Sequence, residues 1–253
     1  MSKIKISCVL ALTVVWNVFV LVKNDSAIYT ARHFPGLDDL FIEDQYFLRE
    51  IENISKLECS KFCSEDLQCI SFFYNELQIK CRLHSSGWYN PQEGAAASNW
   101  TYHVLGEKGC PVHSGFIHDR FYGMCVHLST DFVNGTAEGE SYCASKESSM
   151  ITFSDATKIP KFTSTMNKHN PTFLDYNANG NFQAYIGLFY SSGTWLWSDG
   201  TALSSDTNWG PTQPNSPASI KCVAVSFKPS VNIWQWNDIS CNRFSRVLCE
   251  IPH

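Results

Sequence analysis

The sequence predicts an α+β fold of two disulfide-stabilised domains. The eleven cysteines include Cys8 in an N-terminal apolar stretch, and the other ten form two series, at residues 59–81 and 110–249. Short apolar and aromatic runs typical of β-strands accompany both series, beside segments with helical features. With 253 residues, the chain is long enough for two modest domains, each with its own core.

Residues 1–27 are typical of a secretory signal peptide. A basic start precedes an apolar stretch from Ile6 to Val22, and residues 23–27 are polar. We therefore expect cleavage near Ala27 and a secreted chain with no membrane segment. An uncleaved signal anchor is the alternative, because the apolar stretch is just long enough to span a bilayer. Its interruption by polar residues favours cleavage.

Composition narrows the classes of partner. An even number of cysteines in an exported chain indicates disulfides, whereas four thiolates from the first series would otherwise suggest a zinc site. The net charge of −5, with no basic run, argues against nucleic acid. The sequence has no Gly-x-Ser-x-Gly, His-Glu-x-x-His or phosphate-loop motif, which favours a binding protein over an enzyme. N-glycosylation sequons, consistent with export, stand at Asn53, Asn99 and Asn134.

The first cysteine series begins on a predicted helix. Ser55 and Glu58 have the spacing of a capping box, and the helix that follows carries Cys59 and Cys63 one turn apart on one face. Strand-like runs follow at residues 69–74 and 81–83. A helix stapled to a hairpin suits a domain too small to bury enough core by itself.

This pattern, C-x3-C-x5-C-x2-F-x-Y followed by C-x-L, resembles the PAN/apple module over about residues 35–105. We therefore assign residues 28–107 to a PAN/apple-like domain. The resemblance implies the pairs Cys59–Cys81 and Cys63–Cys69. It also implies a surface that binds a protein or carbohydrate ligand without locating that surface, and a plain spacer domain is the alternative.

The second series has a more specific order of landmarks. Gln213-Pro214-Asn215 is followed by Cys222, by Trp236-Asn237-Asp238 and by two more cysteines. This order resembles the C-type lectin-like domain in its long form, and we assign residues 108–253 to it. Tyr185-Ile-Gly-Leu and the run from Trp195 to Gly200 match further segments of that family. The resemblance implies three disulfides: Cys110–Cys125, Cys143–Cys249 and Cys222–Cys241.

The same resemblance implies a calcium ion that directly coordinates sugar hydroxyls. Calcium takes carboxylate and amide oxygens, and a proline stiffens the loop that presents them. A cis peptide bond before Pro214 would let its two neighbours aim at one point. The matching positions, for both the metal and the carbohydrate, are Gln213, Asn215, Asn237 and Asp238.

One departure weakens this expectation. The family usually has a carboxylate where Ile220 stands, which leaves Asp238 as the one acid among four ligands. We therefore expect weak calcium binding, on the order of 10⁻⁴–10⁻³ M or worse. The predicted function is a secreted lectin, with Trp209, or Trp234 if exposed, stacking on the sugar. A calcium-independent protein-binding or adhesion molecule, with Trp236 purely in the core, is the alternative.

Two other patterns suggest metal sites and are interpreted otherwise. The segment 175–180 begins like an EF-hand loop, but Ile186 stands where the twelfth-position Glu is required. His113, His118 and His127 lie on a predicted hairpin without a Glu-bearing helical repeat, so we expect exposed strand histidines and no zinc.

Overall fold

The computed structural model describes residues 18–23, 27–41, 46–87, 95–107, 109–168, 182–215, 222–228 and 233–252. In these residues the two cysteine series belong to two separate units, each built around its own sheet, and the chain passes from one sheet to the other between Glu107 and Ile117. The EF-hand-like segment 175–180 and Ile220 lie outside the described residues.

The N-terminal sheet is antiparallel and has six strands in the order β1-β2-β8-β5-β6-β4, with β3 and β7 paired separately. In chain order its elements are β1 (Val18–Lys23), β2 (Ala27–His33), a 3-10 helix (Pro35–Leu37), β3 (Leu40–Phe41), β4 (Phe47–Glu52), α1 (Lys56–Glu65), β5 (Ser71–Asn75), β6 (Lys80–His84), β7 (Ala95–Ala96) and β8 (Trp100–Glu107).

The first strand falls within the stretch predicted as a signal peptide. It pairs with β2 in register from Val18↔Arg32 to Lys23↔Ala27. Cleavage near Ala27 stays a prediction. Among the described residues, no helix has the length and apolar character needed to cross a bilayer.

The capping-box prediction for α1 is confirmed. The Glu58 backbone N–H donates to Ser55 Oγ at 3.2 Å, and the Ser55 N–H donates to Glu58 Oε2 at 2.8 Å. The buried face of α1 is made of two cysteines and two serines, so it offers little apolar surface of its own. Disulfides Cys59–Cys81 and Cys63–Cys69 attach it to the sheet and to the turn before β5. They are the pairs that the PAN/apple resemblance implies.

The C-terminal sheet runs β16-β15-β13-β17-β10-β9, with β14 on β13 and with β11 and β12 on β17. Its only parallel pair among the described strands is β13–β17. In chain order the elements are a 3-10 helix (Val112–Ser114), β9 (Ile117–Asp119), β10 (Met124–Leu128), β11 (Val133–Asn134), α2 (Thr136–Ser145), β12 (Ser149–Met150), α3 (Lys158–Lys168), β13 (Phe182–Ser191), β14 (Thr194–Trp197), β15 (Cys222–Lys228), β16 (Ile233–Ile239) and β17 (Phe244–Glu250).

Three disulfides stabilise this sheet, with the pairing that the lectin-like resemblance implies. Cys143–Cys249 joins α2 to β17 across 106 residues, a long loop whose closure removes much freedom from the unfolded chain. Cys110–Cys125 and Cys222–Cys241 close shorter loops. The main core between the sheet and α3 is rich in aromatic side chains, among them Phe153, Phe162, Trp197, Trp234 and Trp236.

The expectation of exposed strand histidines is wrong for both residues whose side chains are described. His118 is 3% exposed and His127 is 4% exposed. His127 Nδ1 lies 2.9 Å from the Gly115 carbonyl oxygen and its Nε2 lies 2.9 Å from the Tyr142 hydroxyl. Because both ring nitrogens have neutral partners, the ring can be buried uncharged, and burial lowers the pKa of His127. Within the described ranges, no three His, Cys, Asp or Glu side chains form a group that could hold a metal.

An arginine joins the C-terminal sheet to the end of α1 in the N-terminal domain. Arg120, in the turn between β9 and β10, donates from Nη1 to the Cys63 carbonyl at 3.0 Å and from Nη2 to the Ser64 carbonyl at 2.7 Å. Its Nη1 also lies 3.4 Å from the Asp66 carbonyl and 3.3 Å from the Cys69 carbonyl. The last carbonyls of a helix lack partners within it and carry partial negative charge, so a guanidinium is a suitable cap.

Asp119, the residue before Arg120, is held by hydrogen bonds from α3. The Asp119 carboxylate is fully buried and accepts hydrogen bonds from Thr165 Oγ1 at 3.0 Å and Lys168 Nζ at 3.2 Å, both on α3. A second link between the sheets is the Tyr46 hydroxyl, which donates to the Asn167 carbonyl at 2.8 Å. The β9–β10 turn is therefore held by α3 while it caps α1.

We expect Arg120→Ala to lower the free energy of unfolding by about 2–3 kcal/mol, because hydrogen bonds from a charged donor to buried carbonyls are lost. Amide exchange should also become faster in α1. Chemical denaturation and hydrogen exchange measure both. Arg49→Ala is the control, because it removes the same charge from an exposed position whose guanidinium lies 5.6 Å from the Phe62 ring on α1. Equal effects of the two variants would show that the carbonyl cap contributes nothing.

His103 gives the N-terminal sheet a pH-dependent stability. It is 2% exposed, stacks on Phe72 with ring centroids 4.8 Å apart, and lies 3.1 Å from Thr101 Oγ1 through Nε2. Burial, with smaller contributions from His33 and Lys56, lowers the pKa of His103 to about 3. In the unfolded chain, His103 therefore takes up a proton near its ordinary pKa of about 6.5, whereas in the folded chain it stays uncharged at that pH.

Stability should consequently fall as the pH drops below about 6.5, by up to about 2 kcal/mol between pH 7 and pH 5. In His103→Phe, which keeps an aromatic ring against Phe72, this fall should become clearly smaller. It should not vanish, since the lowered pKa of His127 acts with the same sign. Urea denaturation at several pH values tests this. An unchanged pH dependence in the variant would contradict the assignment.

Candidate functional site

The predicted site residues lie on β16 and on the loop at its outer edge. Along β16, Trp234, Trp236 and Asp238 are buried, while Gln235 and Asn237 are half-buried, as expected from the alternation of side chains along a strand. Asp238 therefore points to the same face as the two tryptophans. Asn237 points to the other face.

Backbone hydrogen bonds hold the loop 208–215 against this strand. The Trp236 N–H donates to the Asn208 carbonyl at 2.7 Å, and the Gly210 N–H donates to the Trp236 carbonyl at 2.9 Å. Trp209 and Trp236 form a parallel bridge, so the loop starts as a short extension of the sheet beyond its edge strand. A turn follows, in which the Gln213 N–H donates to the Gly210 carbonyl at 3.0 Å. The Gln213–Pro214 peptide bond is cis.

Tryptophan side chains pack against the loop on its core side. Trp236 is 1% exposed and meets Trp197 edge-on at 5.5 Å and Trp209 at 5.7 Å between ring centroids. Trp234 is buried, and its Nε1 donates to Asn167 Oδ1 at 2.8 Å. Stacking of Trp234 on a sugar, which the sequence allowed if the ring were exposed, is therefore wrong. Trp209 stays half-buried and keeps part of its ring accessible.

The structure brings Asn215 and Asp238 together. The Asn215 backbone N–H donates to Asp238 Oδ1 at 3.0 Å, so the one acid of the set is tied to the turn that contains the cis bond. Gln213 Oε1 is buried and has no hydrogen-bond partner among the described residues. For Asn237 the described residues provide no contact with the other three. Its place in the site rests on the sequence resemblance.

These residues fit a weak calcium site. All the donor atoms are oxygens of the hard type that calcium prefers, and one carboxylate among amides predicts low affinity. A buried carbonyl oxygen without a partner costs about 1–3 kcal/mol, so a cation that the Gln213 amide could ligate would relieve that cost.

Sequence reasoning missed the residue that positions the loop. Asn208 accepts from the Trp236 N–H through its backbone, and its side-chain Nδ2 donates to the Trp234 carbonyl at 2.8 Å. Gly210 also contributes, because its N–H donates to the Trp236 carbonyl at 2.9 Å and its carbonyl accepts from the Gln213 N–H at 3.0 Å. The run Asn208-Trp209-Gly210 carries a turn signal, but only the pairing with β16 reveals its use.

Comparison with known proteins finds matches to the second half of the chain. Residues 134–251 match the family model of the lectin C-type domain. C-type lectin domain family 4 member A of Homo sapiens is 26% identical over 134 residues, 52% of this chain and 51% of that protein. Asialoglycoprotein receptor 2 of Rattus norvegicus is 27% identical over 152 residues, 57% of this chain and 43% of that protein. The chain thus spans about half the length of these curated relatives.

A shorter match and a solved structure add to these relatives. C-type lectin mosGCTL-7 of Aedes aegypti is 37% identical over 60 residues, 23% of this chain and 40% of that protein. The C-type lectin domain of murine dendritic cell inhibitory receptor 2, solved with an N-glycan, is 22% identical over 51% of this chain and 91% of that chain, with a TM-score of 0.40.

We expect Asp238→Ala to loosen the turn that carries the site, because the Asn215 N–H loses its carboxylate acceptor. Amide exchange at Asn215 should become faster by roughly tenfold or more. Asp238→Asn keeps an acceptor oxygen and should change exchange much less. Asp206→Ala removes an exposed acid from the neighbouring loop and serves as the control. Equal exchange at Asn215 in the wild type and Asp238→Ala would contradict the anchoring role.

Proposed function

We propose that this chain, whose residues 134–251 match the lectin C-type domain, binds carbohydrate through a single weak calcium site made by Gln213, Asn215, Asn237 and Asp238. The observation that carries the proposal is the hydrogen bond from the Asn215 N–H to Asp238 Oδ1, 3.0 Å long. It joins the two segments that separately match the family's ligand positions. The unpartnered Gln213 oxygen beside it supports the same assignment.

The side chains divide two tasks in this proposal, and Asn237 joins Gln213 and Asn215 as a source of amide oxygen. Asp238 supplies the negative charge and holds the turn in place. Gln213 and Asn215 supply amide oxygens that can ligate the ion and amide N–H groups that can donate to a sugar hydroxyl. Calcium, when bound, supplies coordination positions for two neighbouring sugar hydroxyls. Trp209 offers the accessible part of an indole ring to the apolar face of a sugar.

The ligand class follows from this chemistry: a carbohydrate, free or carried by a glycoprotein. One of the relatives is named an asialoglycoprotein receptor, which agrees with that class. In the family that the sequence resembles, Glu-Pro-Asn goes with mannose-type sugars and Gln-Pro-Asp with galactose-type sugars. Gln213-Pro214-Asn215 combines parts of both, so the proposal is limited to the class. C-type lectin relatives support a binding role and not catalysis.

The proposal extends to the rest of the chain. We place the mature protein outside the cell, as the signal-like start and the five disulfides favour. The domain with α1 is proposed to be PAN/apple-like and to offer a second surface, for a protein ligand. Two buried disulfides and a helix with little apolar face are the features that support this assignment.

Calorimetric titration of calcium into the chelator-stripped protein tests the metal site. We expect a dissociation constant on the order of 10⁻⁴–10⁻³ M or weaker for the wild type. Asp238→Asn, which keeps the acceptor for the Asn215 N–H but removes the charge, should abolish the heat. Asp206→Ala should bind like the wild type. No heat from the wild type in millimolar calcium would rule out the metal site and favour the calcium-independent, protein-binding alternative.

A second measurement separates calcium binding from sugar binding. The protein is passed over immobilised mixed monosaccharides in saturating calcium and eluted with chelator. Retention of the wild type, and its loss in Asp238→Asn, would support the lectin function. Calcium heat without retention on any monosaccharide would restrict the loop to a structural metal site.

A further inference from the structure

Two exposed phenylalanines flank a predicted glycosylation site on the C-type lectin domain. Phe132 is 53% exposed and Phe244 is 68% exposed. Asn134, the first residue of an Asn-Gly-Thr sequon, lies directly opposite Phe244 where β11 pairs with β17. Their neighbours Val133 and Ser245 are 2% and 3% exposed, so alternation sends Asn134 and Phe244 to the same, outer face.

The geometry brings the asparagine close to one ring and leaves its amide available. Directly paired residues of antiparallel strands have Cβ atoms about 4.5–5.5 Å apart. The Asn134 backbone N–H donates to Glu138 Oε2 at 2.6 Å, which holds the main chain. Its exposed side-chain amide has no hydrogen bond within the described part of the chain. The attachment atom is therefore free and beside Phe244.

The surroundings restrict how this segment can move. Gly135 has φ +89°, and a Cβ there would stand 2.2 Å from the Cys241 carbonyl oxygen. On the other side, the Arg246 guanidinium carbon lies 4.9 Å from the centroid of the Phe132 ring and helps to hold it at the surface. Phe244 thus lies on a well-anchored strand pair, and Phe132 lies directly before it.

We propose that Asn134 carries an N-linked glycan whose first sugar packs on Phe244, with Phe132 at its border. In the transfer, the Asn134 side-chain nitrogen bonds to the anomeric carbon of a lipid diphosphate-linked oligosaccharide. The bond from that carbon to the diphosphate breaks, the diphosphate leaves, and the amide loses one proton. The apolar C–H face of the sugar then covers the exposed aromatic ring, which stabilises the fold.

This inference goes beyond carbohydrate recognition by the calcium loop. Of the proposed function it requires only export through the secretory pathway. Asn99 provides a matched comparison within the same chain: it is also an exposed sequon asparagine, but its backbone N–H is bonded to the Asp39 carboxylate at 2.6 Å, and it lies outside the paired strands.

The test uses the full chain secreted from mammalian cells. Mass spectrometry of glycopeptides gives the occupancy of Asn53, Asn99 and Asn134, and thermal unfolding is compared for the wild type, Asn134→Gln and Asn99→Gln. We expect Asn134 to be occupied and Asn134→Gln to lower Tm by about 2–4 °C, the shift that a contact of this size gives in a chain of this length. Because the backbone at Asn99 has φ +70°, Asn99→Gln adds strain of its own, so each variant is compared with its enzymatically deglycosylated form, and the glycan-dependent part of Tm should be small at Asn99.

A double-mutant cycle then assigns the effect to the ring. In a Phe244→Ser background, Asn134→Gln should lower Tm much less, because the sugar has lost its partner. Phe244 is mostly exposed, so this variant should fold. Trimming the wild-type glycan to its first sugar should preserve Tm, whereas complete removal should lower it.

Three results would overturn the proposal. They are an empty Asn134 beside an occupied Asn99 or Asn53, an Asn134→Gln effect that is equal with and without Phe244, and a Tm that falls on trimming to one sugar. If no sequon is occupied, the glycan proposal also fails, and calcium titration of the same secreted sample still tests the lectin site independently.

Discussion

Trp236 is the residue on which both the C-terminal core and the candidate site depend. Its indole fills the centre of the aromatic core, and its backbone N–H and carbonyl are shared with Asn208 and Gly210 of the loop. Core packing therefore fixes the position and direction of β16, and the backbone hydrogen bonds of β16 in turn position the loop 208–215. A binding turn built in this way is pre-organised by the protein interior, which reduces the ordering cost of capturing a ligand.

The N-terminal domain achieves order differently. Its helix has cysteines and serines on the buried face, where a helix of similar length would usually place leucine or valine. Two disulfides supply the attachment that apolar packing would otherwise supply. Behind the helix, the sheet also buries polar rings such as His84 and His103. Both domains are thus secured by disulfides, and among the described residues the larger cluster of buried aromatic side chains lies in the C-terminal domain.

Much of this arrangement could be predicted from local patterns. The capping box at Ser55, the strands around Tyr185 and Trp236 and the general α+β class rest on short-range chemistry and are confirmed. The failures came from long-range contacts. Burial of His118 and His127 was missed, because the partners of His127, Gly115 and Tyr142, are supplied by the folded chain. The burial of Trp234 likewise depends on a hydrogen bond to Asn167, which is far away in sequence.

The candidate site shows the same division. The types of ligand and their order were visible in Gln213, Asn215 and Asp238, because oxygen donors and a proline can be read directly. The hydrogen bond between Asn215 and Asp238 could not be, since it depends on how the loop meets the edge of the sheet. The opposite faces of Asn237 and Asp238 follow from strand alternation, which becomes decisive once β16 is seen to include both residues.

The Arg120 cap has a mechanical consequence. The covalent path between the sheets runs through a few residues after Glu107, and four carbonyl contacts from Arg120 lie beside it. A tension that pulls the N-terminal domain away from a ligand held at the loop 208–215 is therefore shared between the peptide chain and the hydrogen bonds of Arg120. While these hydrogen bonds hold, the loop 208–215 keeps a constant direction relative to α1, so that a bound ligand would be presented at a defined angle.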